Sequence, residues 1–554
     1  MVKLSLLTIT LLAVGQNVLA QPAGAGGQLQ QIPPAPAPLR SIPDIRIERS
    51  QPGAEASAAS VRIAVRTLNI TGETRFSEAE LITAAKFRPG DELDLAGLRA
   101  MAARITDFYN RHGYFVAQAY LPAQDIKDGA VTIAIVEGRY GKVALANHAR
   151  VSSRLAQSLL AGLEPGDAVV TAPLERRLLL LSDLPGVRVS STLTPGEAVG
   201  STDMLVDLTP GRRVTGSLEG DNAGNRYTGA WRGGGTLNLN EPLGIGDIAS
   251  LRVLTSGSGL TYVRGSYQAQ VQALTVGAAY AHLGYQLGRE FRPLDARGTV
   301  DIASVYASYP LIRSRDTNLY ALLDLDLRTF EDRVGATSSV SERRAHVVSP
   351  GIQGDHRDRL WGGGWTTYAV NASFGDLNIS TPQVRAIDAV TARSNGSYQK
   401  LSFEAARLQT LSGPFSLYGE VRGQLASKNL DSSEKMELGG AYGVRAYPEG
   451  EAYGDQGYIL TAEARMQLAR ASAWTGGQMQ AAIFVDTGSV TLNKSPWVAG
   501  SNERTLSAVG VGLTWADSHN LVLKASYATK LGSERATSAP DRSGRFWVQI
   551  SKYF

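Results

Sequence analysis

The 554 residues include no cysteine, so no disulfide, thiol nucleophile or thiolate metal site is available to the chain. Histidine is scarce. The six (His112, His148, His282, His346, His356, His519) are scattered, with no His-Glu-x-x-His spacing to hold a metal. There is no Gly-x-Ser-x-Gly nucleophile elbow, and Gly141-Lys142 runs into Val143, which fails even a degenerate phosphate loop. Charge of one sign is also lacking. The net balance is +4 with no basic cluster, which gives no case for nucleic acid. After Ala20 no run of 18 apolar residues occurs, and mean hydropathy is -0.11, so membrane-spanning helices are excluded. Paired carboxylates such as Asp324 and Asp326 then read as a solvated wall. Neither a cofactor, a metal nor catalysis is expected.

What is present is organised in three textures. Lys3, the short apolar run from Leu4 to Val14 and Val18-Leu19-Ala20 before Gln21 make residues 1–20 a secretory signal peptide. Residues 21–60 are low-complexity, with Gln31-Ile32-Pro33-Pro34-Ala35-Pro36-Ala37-Pro38 favouring an extended linker, although a short helix before the prolines is allowed.

Residues 61–211 carry an α/β pattern. Ile63 to Ile70 reads as a strand, and Ser77 and Asp94 as N-caps. Leu95 to His112 is a helix, with Leu95, Leu98, Ala102, Ile105 and Phe108 at helical spacing. Strands at Phe115 to Leu121 and Ala130 to Val136 close a first module. Gly90-Asp91 and Gly166-Asp167 stand about 76 residues apart at equivalent points, so a β-α-α-β-β unit occurs twice. The modules are assigned to 61–138 and 139–211.

From 212 to 554 the signal is period-two alternation in about 16 segments. In Leu319 to Arg328, Leu319, Ala321, Leu323, Leu325 and Leu327 share one face while Asp324, Asp326 and Arg328 share the other. Turns such as Val271-Gln272, Ser412-Gly413-Pro414 and Asp517-Ser518-His519 are short. They alternate with long stretches at Asp376 to Tyr398, Asp431 to Gly457 and Thr491 to Thr505. That asymmetry, with 59 glycines and 21 tyrosines, describes a closed outer-membrane β-barrel with short periplasmic turns; lipid offers no partner to an open sheet edge. The chain ends on Phe554 in a segment where Phe546, Val548 and Ile550 share its face, with Lys552 expected to snorkel out of the apolar surface. The fold class is therefore α+β modules followed by an all-β, 16-stranded transmembrane barrel.

Specific motifs now point to a family. Gly113-Tyr114, Ala119-Tyr120-Leu121-Pro122, Gln124-Asp125-Ile126, Gly129 and Val136-Glu137-Gly138 resemble the first POTRA domain of two-partner secretion transporters. These form the TpsB branch of the outer-membrane barrel-assembly superfamily, typified by hemolysin and filamentous-hemagglutinin transporters. Val444-Arg445-Ala446-Tyr447 resembles the family's Val-Arg-Gly-Tyr motif at the tip of a loop folded into the lumen, here residues 428–456. Phe484-Val485-Asp486-Thr487-Gly488 resembles its Phe-x-Asp-x-Gly wall motif. Alternation independently puts Gln478, Gln480, Phe484 and Asp486 on the lumen face and Met479, Ala481, Ile483 and Val485 toward lipid. A lumen carboxylate accepts a guanidinium through two parallel bonds, so an Arg445–Asp486 salt bridge is expected, with Glu463 and Arg465 as possible members of its network. Ala446 in the glycine's place puts the geometry of the loop tip in doubt.

The resemblance implies a Gram-negative outer-membrane transporter with its POTRA domains in the periplasm. Its expected partners are a secreted TpsA-type exoprotein (an adhesin, hemolysin or similar protein), outer-membrane lipid and, during biogenesis, the barrel-assembly machinery. It would capture the unfolded partner by β-augmentation and move it without ATP. A barrel-assembly factor of the same superfamily is the alternative, and a plain porin a weaker one, since a porin has no need of two preceding modules. The helix that plugs the pore of some relatives is not evident in residues 21–60.

Overall fold

The computed structural model describes residues 24–34, 44–47 by backbone, and 62–554 except 470, 471, 473 and 474. The expected signal peptide, residues 1–20, lies outside these.

Residues 24–34 depart from the extended linker expected for 21–60. Helix α1 (Ala25–Gln30) lies inside the barrel with Ala25, Gly26, Gly27 and Gln28 buried. Strand β1 (Asp44–Ile47) pairs in parallel with a strand of the second module. Nothing local favours α1, which has three glycines at or before its first turn and no side-chain cap. Burial against the barrel wall supplies what propensity does not.

The first module runs β2 (Ile63–Val65), β3 (Thr67–Thr71), α2 (Glu78–Ala85), β4 (Asp91–Leu93), α3 (Leu95–Arg111), β5 (Gln118–Tyr120) and β6 (Ala130–Val136). The single strand expected over 63–70 breaks at Arg66, whose N–H donates to the Gly129 carbonyl at 2.8 Å. Ser77 caps α2 in a reciprocal capping box with Glu80, and the Asp94 carboxylate accepts from Gly97 N–H at 2.8 Å to start α3. Leu98, Met101, Ile105 and Tyr109 bury the inner stripe of α3 against a sheet of order β3-β6-β5.

The second module repeats the plan as β7 (Arg139–Asn147), α4 (Ser153–Leu160), α5 (Thr171–Ser182), β8 (Val187–Pro195) and β9 (Ser201–Pro210). Its sheet reads β1-β8-β9-β7, so the edge equivalent to β5 already holds an extended segment of the chain itself.

Sixteen antiparallel strands then close a barrel. They are β10 (Val214–Asp221), β11 (Arg232–Asn240), β12 (Ile248–Thr255), β13 (Leu260–Val271), β14 (Leu274–Gln286), β15 (Ala296–Arg313), β16 (Thr317–Val334) and β17 (Ser339–Asp358). The circuit continues through β18 (Gly364–Ile379), β19 (Gly396–Thr410) and β20 (Phe415–Ala426). After a long loop come β23 (Gln456–Gln467), β24 (Gly477–Thr491), β25 (Glu503–Asp517), β26 (Leu521–Lys530) and β27 (Gly544–Tyr553), which pairs back on β10. The loop from 427 to 455 contains the ladder β21 (Met436–Glu437) and β22 (Tyr453–Gly454), and 380–395 carries α6 (Pro382–Val390).

Alternation sorts the wall as read from the sequence. Leu323, Leu325 and Leu327 stand exposed on the outer face, while on the inner face Arg328 bonds both Asp326 and Glu434 of the long loop. At the C-terminus Phe546, Ile550 and Phe554 are exposed, and Lys552 reaches the carbonyl of His519 in the adjoining periplasmic turn.

The second module is docked onto the barrel rim. Asp183 takes both Nε and Nη2 of Arg313 at 2.7 Å, Arg315 meets Glu175 at 2.7 Å, and Arg176 donates to the Pro310 and Leu311 carbonyls. Asp183→Ala is expected to cost on the order of 2 kcal/mol of docking, less than a fully buried pair because the Asp183 side chain is 31% exposed. Spin labels on α4 and on the barrel, placed in a chain free of native cysteine, read this directly. The distance distribution widens in the variant; an unchanged width shows that packing and the Arg176 bonds suffice.

Candidate functional site

The site is the barrel lumen, and it is assembled from the inward halves of alternating strands. Phe484 and Asp486 on β24 are 2% and 0% exposed, while their neighbours Ile483 and Val485 are exposed to the outside. The long loop crosses this space and delivers Arg445 to the wall. Its Nε and Nη2 each donate to one Asp486 oxygen at 2.8 Å, and its backbone N–H donates to the same carboxylate at 3.2 Å. The guanidinium also lies over the Phe484 ring, 3.3 Å from the centroid, and meets Glu463 at 2.9 Å. Glu463 in turn holds Arg465 at 2.7 Å, and Thr461 donates its hydroxyl to Asp486 at 3.0 Å. The expected pair and both expected neighbours are thus in direct contact.

The other motif residues explain how the loop tip fits. A Cβ on Gly488 would stand 2.5 Å from Leu438 of the loop, so the wall needs a residue without one. Val444, Ala446 and Tyr447 are fully buried. Ala446 is not among the residues with positive φ; the left-handed positions in this loop are Gly440, Gly450 and Ala452. The doubt raised by its methyl group is answered there: Val444 to Tyr447 closes by a Tyr447 N–H to Val444 carbonyl bond at 3.0 Å, and Ala446 packs with Leu438 and Phe484. Trp547 of β27 donates its indole N–H to the Arg445 carbonyl at 2.7 Å.

Four further sets of lumen contacts were not legible in the sequence. Glu451, fully buried, accepts from the backbone N–H and hydroxyl of both Thr537 and Ser538 and from Arg504, tying the long loop to the 531–543 loop. Asp431 and Asp332 share Arg343, and Glu434 joins Arg328 to Lys400. The segment 24–34 completes the set. Ala25 N–H donates to Asp332 at 2.8 Å, Gln31 Nε2 to the Tyr453 hydroxyl at 2.7 Å, and the Gln31 and Pro33 carbonyls accept from Arg232 and Arg252. Helix and loop together fill the upper lumen. The charged residues involved lie on different strands at unremarkable spacings, so no local signal marks them.

The POTRA-motif residues do not join this site; each does architectural work in the first module. Gly113 ends α3 at φ 88° and its carbonyl accepts from Thr171 N–H at 2.9 Å, joining the two modules. Tyr114 packs edge-on against Phe76 and Tyr109. Gln124 borrows both backbone groups of Thr132 at 2.7 Å, and its Nε2 also donates to the Pro122 carbonyl. At Gly129 (φ 73°) a Cβ would meet the Ala64 carbonyl at 2.6 Å, and Gly138 (φ 77°) leaves no room beside Val116. Burial pushes the Glu137 carboxyl up, but bonds from Thr74, Arg75 and Tyr109 outweigh it and hold the group below the usual carboxylate range. Among the described residues no cluster of three or more His, Asp or Glu is placed to hold a metal.

Tandem α/β modules leading into a closed 16-strand barrel whose lumen is crossed by an arginine-tipped loop define an outer-membrane protein-transport barrel with periplasmic POTRA domains. The model of the haemolysin secretion/activation proteins (ShlB/FhaC/HecB) matches residues 200–515, and that of the ShlB-type POTRA domain matches 63–138. The chain belongs to that family, the TpsB transporters of two-partner secretion. It is 27% identical over 482 residues to the heme/hemopexin transporter protein HuxB of Haemophilus influenzae (strain 86-028NP), covering 86% of this chain and 84% of that one. It is 25% identical over 370 residues to the outer membrane transporter CdiB of Dickeya dadantii (strain 3937), covering 64% and 63%. In fold it is similar to CdiB from Escherichia coli, with a TM-score of 0.67 at 21% identity over 92% of both chains.

Proposed function

We propose that this transporter takes an unfolded TpsA-type exoprotein from the periplasm through its POTRA domains and passes it through the barrel to the cell surface without ATP. The observation that carries the proposal is β1. An extended segment lies on the edge of β8 with four residues in register, Asp44 opposite Ser190 through Ile47 opposite Leu193, so a POTRA sheet of this chain accepts an added strand. Among the described residues the equivalent edge of the first module, β5, is paired with β6 alone, and Tyr120 on it is 43% exposed. Main-chain pairing tolerates varied side chains, which suits a long cargo presenting many strands. In the lumen, Arg445 on Asp486 pins the loop, which must shift for a polypeptide to pass. Folding of the cargo outside biases the movement outward.

Of the relatives, the heme/hemopexin transporters align over more of the chain than the CdiB proteins, so a heme- or hemopexin-binding exoprotein is the first cargo to test. The assay places a photo-crosslinking amino acid at Tyr120 in cells exporting the candidate exoprotein. The expected result is an adduct between the exoprotein and the first POTRA domain, together with exoprotein in the medium. Secretion with adducts elsewhere but none at Tyr120 would overturn capture on β5. A barrel that inserts while the exoprotein stays in the periplasm would overturn the transport reading for that cargo.

A further inference from the structure

The periplasmic turn between β17 and β18 is built differently from its neighbours. Trp361 is 86% exposed and Leu360 63% exposed. Trp361 also sits in the left-handed region at φ 48°, ψ 38°, where a bulky side chain is strained. Such a conformation persists only where the surroundings fix it, and here they do. The Gln409 side-chain amide donates to the Leu360 carbonyl at 2.8 Å and the Gly363 carbonyl at 3.0 Å. Asp358 accepts the Leu360 N–H at 3.0 Å and is itself held by both Nη atoms of Arg407, at 2.7 and 3.1 Å. Gly362 and Gly363, at φ 102° and 103°, complete the turn.

The direction of the turn follows from the strand register. Gln409 stands opposite Leu417, and Arg407 opposite Thr366 and Gly419; Leu417 and Val370 are exposed on the outer wall, and the inward positions are the alternate ones. The amide that grips the turn is therefore on the lipid side, and it draws Leu360 and Trp361 over the outer edge of the rim. Above them on β18 the outward residues are Thr366, Tyr368, Val370, Ala372 and Phe374, and then Asp376 and Asn378. From Tyr368 to Phe374 the outward row is free of charge, and roughly six steps of about 3.3 Å inclined about 40° rise about 15 Å, the lower part of a lipid-facing band. Trp361 lies just below the lower end of that band, where an indole with one apolar and one polar side is favoured. Among the described residues the second POTRA domain contacts the 241–247 and 314–316 turns, while Leu360 and Trp361 stay exposed.

We infer that the 358–363 turn is a built anchor for the phospholipid headgroup and glycerol region of the inner leaflet, with Trp361 as its wedge and Gln409, Asp358 and Arg407 as the clamp that presents it. The lipid is the occupant because the turn curls to the outer side of the rim, one polar row (Thr366, Arg407 and Asp358) below the apolar wall that begins at Tyr368. The role of the anchor is to set the depth of the rim beside the docked POTRA domain.

The test uses the full chain in phosphatidylcholine liposomes. The fluorescence of Trp361 is taken as the difference between wild type and Trp361→Phe. It is measured with lipids brominated high on the acyl chain and, separately, with aqueous acrylamide. The expected result is strong quenching by the brominated lipid and weak quenching by acrylamide, with the lipid quenching reduced in Gln409→Ala while the barrel still inserts. Quenching by acrylamide alone would place the turn in periplasmic water, and quenching by neither would place it under protein; each overturns the inference.

Discussion

Arg445→Ala is expected to abolish export while the barrel still inserts. Without the side chain Asp486 stays fully buried with, among the described residues, Thr461 and the residue-445 N–H as its remaining donors, and the stack on Phe484 is lost. Breaking a buried ion pair by removing one partner costs about 3–5 kcal/mol, and each 1.4 kcal/mol is a factor of ten in occupancy of the pinned state. Arg445→Lys separates charge from geometry. An ammonium keeps the charge but reaches the two Asp486 oxygens and Glu463 one at a time, so an intermediate loss is expected. The measurement is exoprotein in the medium, with protease accessibility of the 427–455 loop in the same cells. A freed loop with export intact would show that the pair holds a resting state and plays no part in transport; a protected loop in Arg445→Ala would show that Glu451 and its partners hold it alone.

Replacing residues 24–34 with a Gly-Ser segment of equal length is expected to raise ion conductance severalfold in planar bilayers. The helix contributes the buried Ala25 against Tyr285, Val300 and Phe330, and its backbone satisfies Arg232, Arg252 and Asp332. A Gly-Ser chain makes none of the apolar contacts and loses more entropy on ordering, so it leaves the lumen. Gln31→Ala removes only the bond to Tyr453 and is expected to give a smaller rise. Unchanged conductance in both would mean that the long loop closes the pore by itself. The two predictions bear on different obstacles: the loop is held by a buried ion pair, the helix by packing and by bonds from its backbone.

Much of this protein is determined by its sequence alone. Period-two alternation fixes which residues of β16 and β24 face lipid, because a one-residue slip would put Asp326 or Asp486 into hydrocarbon. Caps at Ser77 and Asp94 start α2 and α3 where local hydrogen bonding requires. The lumen pair was legible through motif residues far apart in the chain, since its chemistry demands a guanidinium and an inward carboxylate. Only the tertiary structure decides what occupies the lumen and the sheet edges. Residues 24–34 carry glycines and prolines that argue against packing, and they are ordered by a wall contributed by strands hundreds of residues away. Asp332, Glu434 and Glu451 look like any solvated lumen carboxylate until the loop brings them partners. No local signal marks Trp361; its turn is set by Gln409, 48 positions later, which bonds the carbonyls on either side of it. Local physics selects helix, strand and facing; the burial of polar groups with distant partners selects the rest, and that information exists only once the barrel is closed.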